Sequence, residues 1–406
     1  MTLTFTTLAK LKPNPHWAKL PLFDRRGWRR MAFGQFAESV NERVEPADAA
    51  EEIYVGLDDL DSGSLHIRRW GKGNDVIGTK LRFRKGEIIF GRRRAYQRKL
   101  AVAEVDGICS AHAMVVRAKP AVVLPEFLPF LMMSGRFMKR AVEISVGSLS
   151  PTINWTTLKL EEFDLPPLDQ QRRIAEILWA VDDSQQKWLQ TAESLTLTRT
   201  ATVEEHFTKA EGKTGTKQLT QLAEVVYGIT LGGYRFSLPV EKPYLRVANV
   251  AREKVDLTDV KTIRCTEGEA EKFALNQGDV LIVEGHASID EIGRVAVWRS
   301  ERNGMLHQNH LIRIRCSSKL LPDYLSLYAN SLRGRAYIRS RAKSSSGLNT
   351  INSTVVKEFP VPVTDVECQN ALVEQAHQFD LSLYSIANNQ RHLNEMLKEF
   401  LNSIFA

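Results

Sequence analysis

Two stretches of the chain, Asp169–Ala210 and Thr364–Ala406, are essentially free of glycine and proline and repeat apolar residues every seven positions. In the first, Ile174, Val181, Trp188 and Leu195 form the series, with Leu178, Gln185 and Ala192 on the adjoining seam. In the second the series is Leu372, Phe379, Ile386, Leu393 and Phe400, beside Ala376, Leu383, Gln390, Leu397 and Ile404. A sustained seven-residue repeat predicts a coiled-coil seam rather than a broad amphipathic face. Roughly 40 helical residues extend about 60 Å. The alternative is two separate helices, each packed on its own domain. If they pair, the first runs away from the segment before it and the second runs back, so the pair is antiparallel. An approximate dyad is then expected near Trp188, with Gln185 and Gln390 together as a polar layer that fixes register.

Outside these stretches the pattern changes to short β-prone segments punctuated by Gly and Pro, with some helix such as Phe127–Arg140. The two halves repeat. Thr152-Ile153-Asn154 matches Thr350-Ile351-Asn352, Gln171 matches Gln369, and His112 matches His310, each 198 residues apart. Lys85-Gly86-Glu87 matches Gln277-Gly278-Asp279, and Phe36-Ala37-Glu38 matches Leu222-Ala223-Glu224, in the same order along the chain. Such ordered matches mark a duplication. The expected fold is α+β: two tandem mixed α/β domains, 1–168 and 212–364, separated by an antiparallel two-helix coiled coil built from 169–211 and 365–406, with pseudo-two-fold symmetry.

Composition adds little until its distribution is considered. The 406 residues carry 55 Lys and Arg against 48 Asp and Glu, a formal net charge of +7, which favours a polyanionic partner. The four cysteines, Cys109, Cys265, Cys316 and Cys368, make no CxxC pair, so neither a zinc finger nor a disulfide framework is expected. No apolar run approaches the roughly 20 residues of a membrane span. The N-terminus lacks a signal-peptide core. A reducing, cytoplasmic location away from membranes is the expectation.

The charge is concentrated. Between Lys80 and Lys99 lie nine basic residues and one acid, Glu87. The densest part, Arg92, Arg93, Arg94, Tyr96, Gln97, Arg98 and Lys99, follows an apolar run and reads as a loop or strand edge. Arginine forks suit phosphate oxygens and guanine O6/N7, and Tyr96 and Gln97 add a stacking face and an amide. The bland alternative is a solvated loop or one that docks an acidic protein. The matching stretch of the second half is acidic, so that half is expected to use other residues: Arg294, the cluster His307, Gln308 and Asn309, and the segment with Arg335, Arg339, Arg341 and Lys343. His307 and His310 lack a third metal ligand, so no metal site is expected. Ser148 and Ser345 sit in Ser-rich stretches before each Thr-Ile-Asn; phosphate contact and ordinary turns are equally open readings. The dissimilar surfaces on a repeated frame point to an asymmetric, two-part duplex DNA target.

Catalytic motifs are missing. The Pro-Pro at Pro166-Pro167 has the wrong neighbours for an amino-methyltransferase loop, Pro322-Asp323 is not followed by the acid-x-Lys of a common nuclease, and no Walker A sequence occurs. No catalytic residue is therefore assigned. The segments Gly107-Ile-Cys-Ser-Ala-His112, Gly147-Ser-Leu-Ser-Pro-Thr-Ile-Asn154 and Leu165-Pro-Pro-Leu-Asp-Gln-Gln-Arg-Arg-Ile-Ala-Glu-Ile-Leu178 resemble those of specificity subunits of type I restriction–modification enzymes, and the resemblance runs over nearly the whole chain. It implies a subunit that selects a bipartite DNA sequence, helices that dock two modification (methyltransferase) subunits, and restriction/translocase subunits that join to cleave. It places AdoMet, magnesium and ATP on those partners and no cofactor here. In the second half, Val361-Pro-Val-Thr-Asp-Val-Glu-Cys replaces the compact Leu-Pro-Pro-Leu signature. The rival readings are a coiled-coil protein scaffold and a diverged stand-alone DNA-modifying enzyme.

Overall fold

The computed structural model describes residues 24–300, 302–345 and 347–405. They form two compact units: one joins the residues up to Trp188 with those from Asn388 onward, the other is Leu189–Ala387. Each unit therefore takes a part of both long helices.

In the first unit the central sheet has strand order Ala37–Val40, Met114–Ala118, Ile88–Phe90, Leu100–Val102, all antiparallel neighbours. Strand alternation sends Ile88, Phe90, Leu100, Met114 and Val116 to one core and Ile89, Ala101 and Val115 to another, so the sheet is buried on both faces. The larger core is closed by helices Leu128–Met133 and Gly135–Glu143. The expected single helix breaks at Ser134, whose Oγ accepts from Phe137 N and caps the second piece. A second sheet contains a parallel pair, Ile53–Val55 with Gly107–Cys109.

The other unit repeats this plan. Its sheet runs Ala223–Tyr227, Leu311–Cys316, Val280–Val283, Val295–Val297. Val280, Ile282, Ile312 and Ile314 face one core, Leu281, Val283 and Leu311 the other. Ser331 caps helix Leu332–Arg341 as Ser134 does its counterpart. The parallel pair recurs as Val240–Leu245 with Leu306–His307.

The long helices are Leu168–Thr214 and Val366–Phe405. In the first unit Ile174 and Leu178 share a core with Leu401, Ile404 and Phe405, while Leu397 and Phe400 pack against it. Further along, the Gln185 amide donates to Asn394 Oδ1 at 2.7 Å. Residue numbers rise on one helix as they fall on the other, so the pairing there is antiparallel. In the other unit Val203 and Phe207 share a core with Leu372 and Ala376, and Arg199 Nε meets Asp380 Oδ1 at 2.8 Å, again antiparallel. Val181, Trp188, Leu195, Phe379, Leu383 and Leu393 are half-buried and Ile386 is buried, as seam positions require. The expected Gln185–Gln390 layer is corrected: the partner is Asn394, one turn away, and Gln390 Nε2 is enclosed with no partner among the described residues. A seven-residue pattern fixes which face is buried, not which turn meets which.

Two buried glutamines anchor the helix starts identically. Gln171 accepts from Leu124 N (2.8 Å) and donates to Val122 O (3.0 Å) and Pro166 O (2.9 Å). Gln369 accepts from Leu321 N (2.9 Å) and donates to Lys319 O (3.0 Å) and Thr364 O (2.9 Å).

The acids one helical stretch further on also correspond but take different partners. Asp380 holds Arg199, which also pairs with Glu253; Asp182 holds His66. His66 Nε2 lies 2.6 Å from Asp182 Oδ2 and Nδ1 lies 2.9 Å from Glu104 Oε1. The Asp182 carboxylate raises the imidazole pKa above its usual value, burial opposes the rise, and Glu104 adds to it. A group whose pKa is higher folded than unfolded stabilises fully below its unfolded pKa and loses that effect as pH rises through the folded one. His66→Gln should therefore lower stability most below about pH 6.5. The gap to the unaltered chain should close as pH climbs past the raised pKa; pH-resolved thermal melts of both proteins check this, and a pH-independent gap refutes it. Among the described residues no helix is long and apolar enough to cross a membrane.

Candidate nucleic-acid interface

In the first unit the chain leaves strand Ile88–Phe90 and continues along a ribbon. Arg93 bridges antiparallel to Thr152, Ile153 N donates to Arg92 O (3.0 Å), and Arg94 N donates to Pro151 O (2.8 Å). Residues 146–152 close a small hairpin, with Val146 and Thr152 bonded reciprocally at 3.0 Å and Gly147 at φ +111°. Ser148 is exposed on that turn, and Leu149 is 91% exposed. Arg94 (φ 58°) and Arg98 (φ 52°) then bracket one 3-10 turn, Ala95–Gln97. Left-handed backbone costs a non-glycine residue on the order of 1 kcal/mol, and such outliers gather at functional sites. Here the turn buries Ala95 and leaves Tyr96 exposed. Gln97 is half-buried on the same turn.

The basic run is not one free patch, which corrects the sequence reading. Lys80 is buried with Nζ on Gly78 O (2.6 Å), Arg82 Nη1 donates to both carboxylate oxygens of Glu52 (2.8 and 2.7 Å), and Arg84 pairs with Asp106 (3.2 Å). Arg98 donates to Met133 O, and burial lowers its pKa; Lys99 Nζ donates to Leu57 O (2.6 Å). Arg92, Arg93 and Arg94 have no carboxylate partner among the described residues. Arg92 Nη2 reaches Ala111 O and Arg94 Nη2 reaches Ser150 Oγ, both at a long 3.3 Å. With Lys85, which is exposed and has no carboxylate at its side chain among the described residues, these three side chains are the available charge of the run, and the three arginines are held on a backbone-bonded ribbon.

The other unit builds the same ribbon from different residues. Gly285–His286 pairs with Leu348–Thr350, which pairs with Lys343–Ser345, and Ile351 N donates to Glu284 O at 2.9 Å. Glu284, Gly285 and His286 therefore stand where Arg92, Arg93 and Arg94 stand in the first unit. The cations gather beside it. Arg294 Nη1 lies 3.2 Å from Glu291, Arg339 Nη2 lies 2.7 Å from Asp290, and Arg252 lies 3.9 Å from Glu291. Burial lowers the pKa of Arg252, and its neighbours Arg335, Arg294 and Arg339 lower it further while Glu291 opposes them. Four guanidiniums thus share two carboxylates. Arg252 Nη1, Arg294 Nε and Arg335 Nε are enclosed with no partner among the described residues, an arrangement that an anion would relieve. Arg252 was not singled out in the sequence, since it lies far from the other three along the chain and in no basic run.

The remaining candidates divide. Arg341 lies over the Tyr337 ring (5.4 Å), and Lys343 is exposed at the hairpin. Ser345 lies in the strand Lys343–Ser345, its side chain outside the described residues. Gln308 and Asn309 are half-buried, with their backbone amides on Leu245 O and Ile229 O (both 2.9 Å). His307 is corrected: it is fully buried, its Nδ1 is 3.0 Å from Phe273 O, and burial pushes its pKa down to about 4. A neutral interior histidine touches no surface ligand. His310 instead is exposed, with Nδ1 2.7 Å from Glu284 Oε2.

Residues 70–194 match the family model of the type I restriction modification DNA specificity domain. The EcoKI specificity subunit of Escherichia coli K12 is 25% identical over 280 residues, covering 63% of this chain and 60% of that protein. The chain is thus similar to specificity subunits of type I restriction enzymes. The EcoDI specificity subunit of Escherichia coli is 28% identical over 177 residues, covering 41% of this chain and 38% of that one. The chain thus spans about 60% of the length of the EcoKI relative. The likeness of fold extends over most of the chain. A structure titled for complex assembly and conformational transition of the type I R-M system superposes with a TM-score of 0.59 at 20% identity, covering 93% of this chain and 97% of that one. The type I S subunit from M. genitalium gives a TM-score of 0.56 at 14% identity, covering 94% and 96%.

Proposed function

We infer that this chain is the non-catalytic subunit that chooses the DNA sequence in a type I restriction–modification complex. The observation that carries the reading is the repeated ribbon with dissimilar charge. One unit presents three arginines with no carboxylate partner among the described residues, the other a carboxylate and a nearby arginine cluster. A repeated frame with different side chains reads two different half-sites of one asymmetric duplex target.

The long helices supply the second role. Beyond their buried seams they leave Leu189, Leu197, Leu381, Tyr384 and Met396 exposed, apolar surface suited to docking two modification subunits, with restriction subunits joining the complex. AdoMet, magnesium and ATP then belong to those partners.

The deciding experiment is genome-wide methylation mapping with the chain present and deleted. A bipartite methylated motif that disappears on deletion supports the reading. An unchanged methylome, or methylation or cleavage by the purified chain alone, overturns it.

A further inference from the structure

Resting on the reading of the chain as a DNA specificity subunit, we propose that Glu284, oriented by His310, reads an exocyclic amino group of a base in the half-site of the Leu189–Ala387 unit. Arg92, at the same ribbon position of the first unit, reads an acceptor edge.

The two positions are equivalent by their bonds. Arg92 O and Glu284 O each accept from the Ile of a Thr-Ile-Asn segment, Ile153 N at 3.0 Å and Ile351 N at 2.9 Å. One residue on, Arg93 bridges Thr152 and Gly285 pairs with Thr350. Histidines flank both: Arg92 Nη2 bonds Ala111 O beside His112, and Glu284 Oε2 meets His310 Nδ1. The backbone setting is the same in both units while the side-chain charge reverses.

Glu284 lines an open cavity of about 540 Å³ together with His286, His310, Arg341, Lys343 and Asn352. Two cations on its wall suit phosphates, but a carboxylate among them repels phosphate and has no reason to face a DNA backbone. It is the natural acceptor for an amino donor, cytosine N4 or adenine N6. His310 engages one carboxylate oxygen, and the other, Oε1, has no partner among the described residues, so one acceptor is held in place and still available. Arg92 in that setting offers a donor fork to guanine O6 and N7.

The test uses the full chain in complex with its modification partners and duplexes in which each position of the mapped target is changed in turn. Glu284→Ala, which removes the acceptor, should reduce discrimination at one position of one half-site by about five- to a hundredfold, leaving the other half-site unchanged. With the unaltered protein, removing the exocyclic amino group from the base at that position should weaken binding comparably. The Glu284→Ala protein should be indifferent to the same removal. Unaltered discrimination by Glu284→Ala overturns the proposal. So does tolerance by the unaltered protein of amino-group removal throughout that half-site, a result that needs no variant to fold. If the unaltered complex shows no sequence preference at all, the specificity reading itself fails first.

Discussion

Replacing Arg92, Arg93 and Arg94 together by alanine should lower affinity for the target about a hundredfold or more and degrade only the half-site read by the first unit. The three hold no carboxylate among the described residues, so the fold should tolerate the change, with melting close to that of the parent. Their ribbon is held by main-chain bonds to Pro151 and Ile153, which alanine keeps. Each phosphate contact removed takes roughly 0.9 from the slope of log affinity against log salt, so the slope should flatten by about two to three. Any of the three that also bonds a base edge adds a second effect, relaxed discrimination that persists at low salt. Titrations at several salt concentrations measure both. An unchanged slope with unchanged half-site preference would show that the arginines face no DNA.

Gln171→Leu should be the most damaging single change to stability. The replacement is near in volume but leaves Leu124 N, Val122 O and Pro166 O buried without partners. Each of the three orphaned groups costs about 1–3 kcal/mol, so a loss of roughly 3–9 kcal/mol is expected. In a unit of this size that lowers the melting temperature by on the order of 10 °C. Gln369→Leu should do the same to the other unit through Leu321 N, Lys319 O and Thr364 O. Calorimetry should show one transition shifted in each variant and not the same one. Shifts smaller than about 2 °C in both variants would mean that the glutamines do not anchor the helix starts.

The long helices and the duplication were readable because both are local or additive signals. Ile174 and Leu372 begin series of period seven in uninterrupted helix-forming sequence, and nothing tertiary is needed to see them. Register was not readable: Gln185 finds Asn394 rather than Gln390, and a one-turn slip leaves the apolar pattern nearly unchanged. A run-based charge reading could not separate Arg92–Arg94, which keep no carboxylate partner among the described residues, from Lys80, Arg82 and Arg84, because folding brings Glu52 and Asp106 from elsewhere to meet the two arginines and buries the lysine. The cluster of Arg252 with Arg294, Arg335 and Arg339 exists only after the fold has gathered residues from separate segments. His307 shows the opposite limit: its side chain is polar, yet its strand pairs with Val240–Leu245 and carries it inside.

The ring of Phe405 packs 5.5 Å from that of Phe127, and Leu401 and Ile404 complete the same core. On the ribosome, then, the half translated first waits for residues made after the whole of its sibling before its interior can close. A nonsense mutation just ahead of Leu401 should accordingly injure the amino-terminal recognition surface while sparing the one synthesised later.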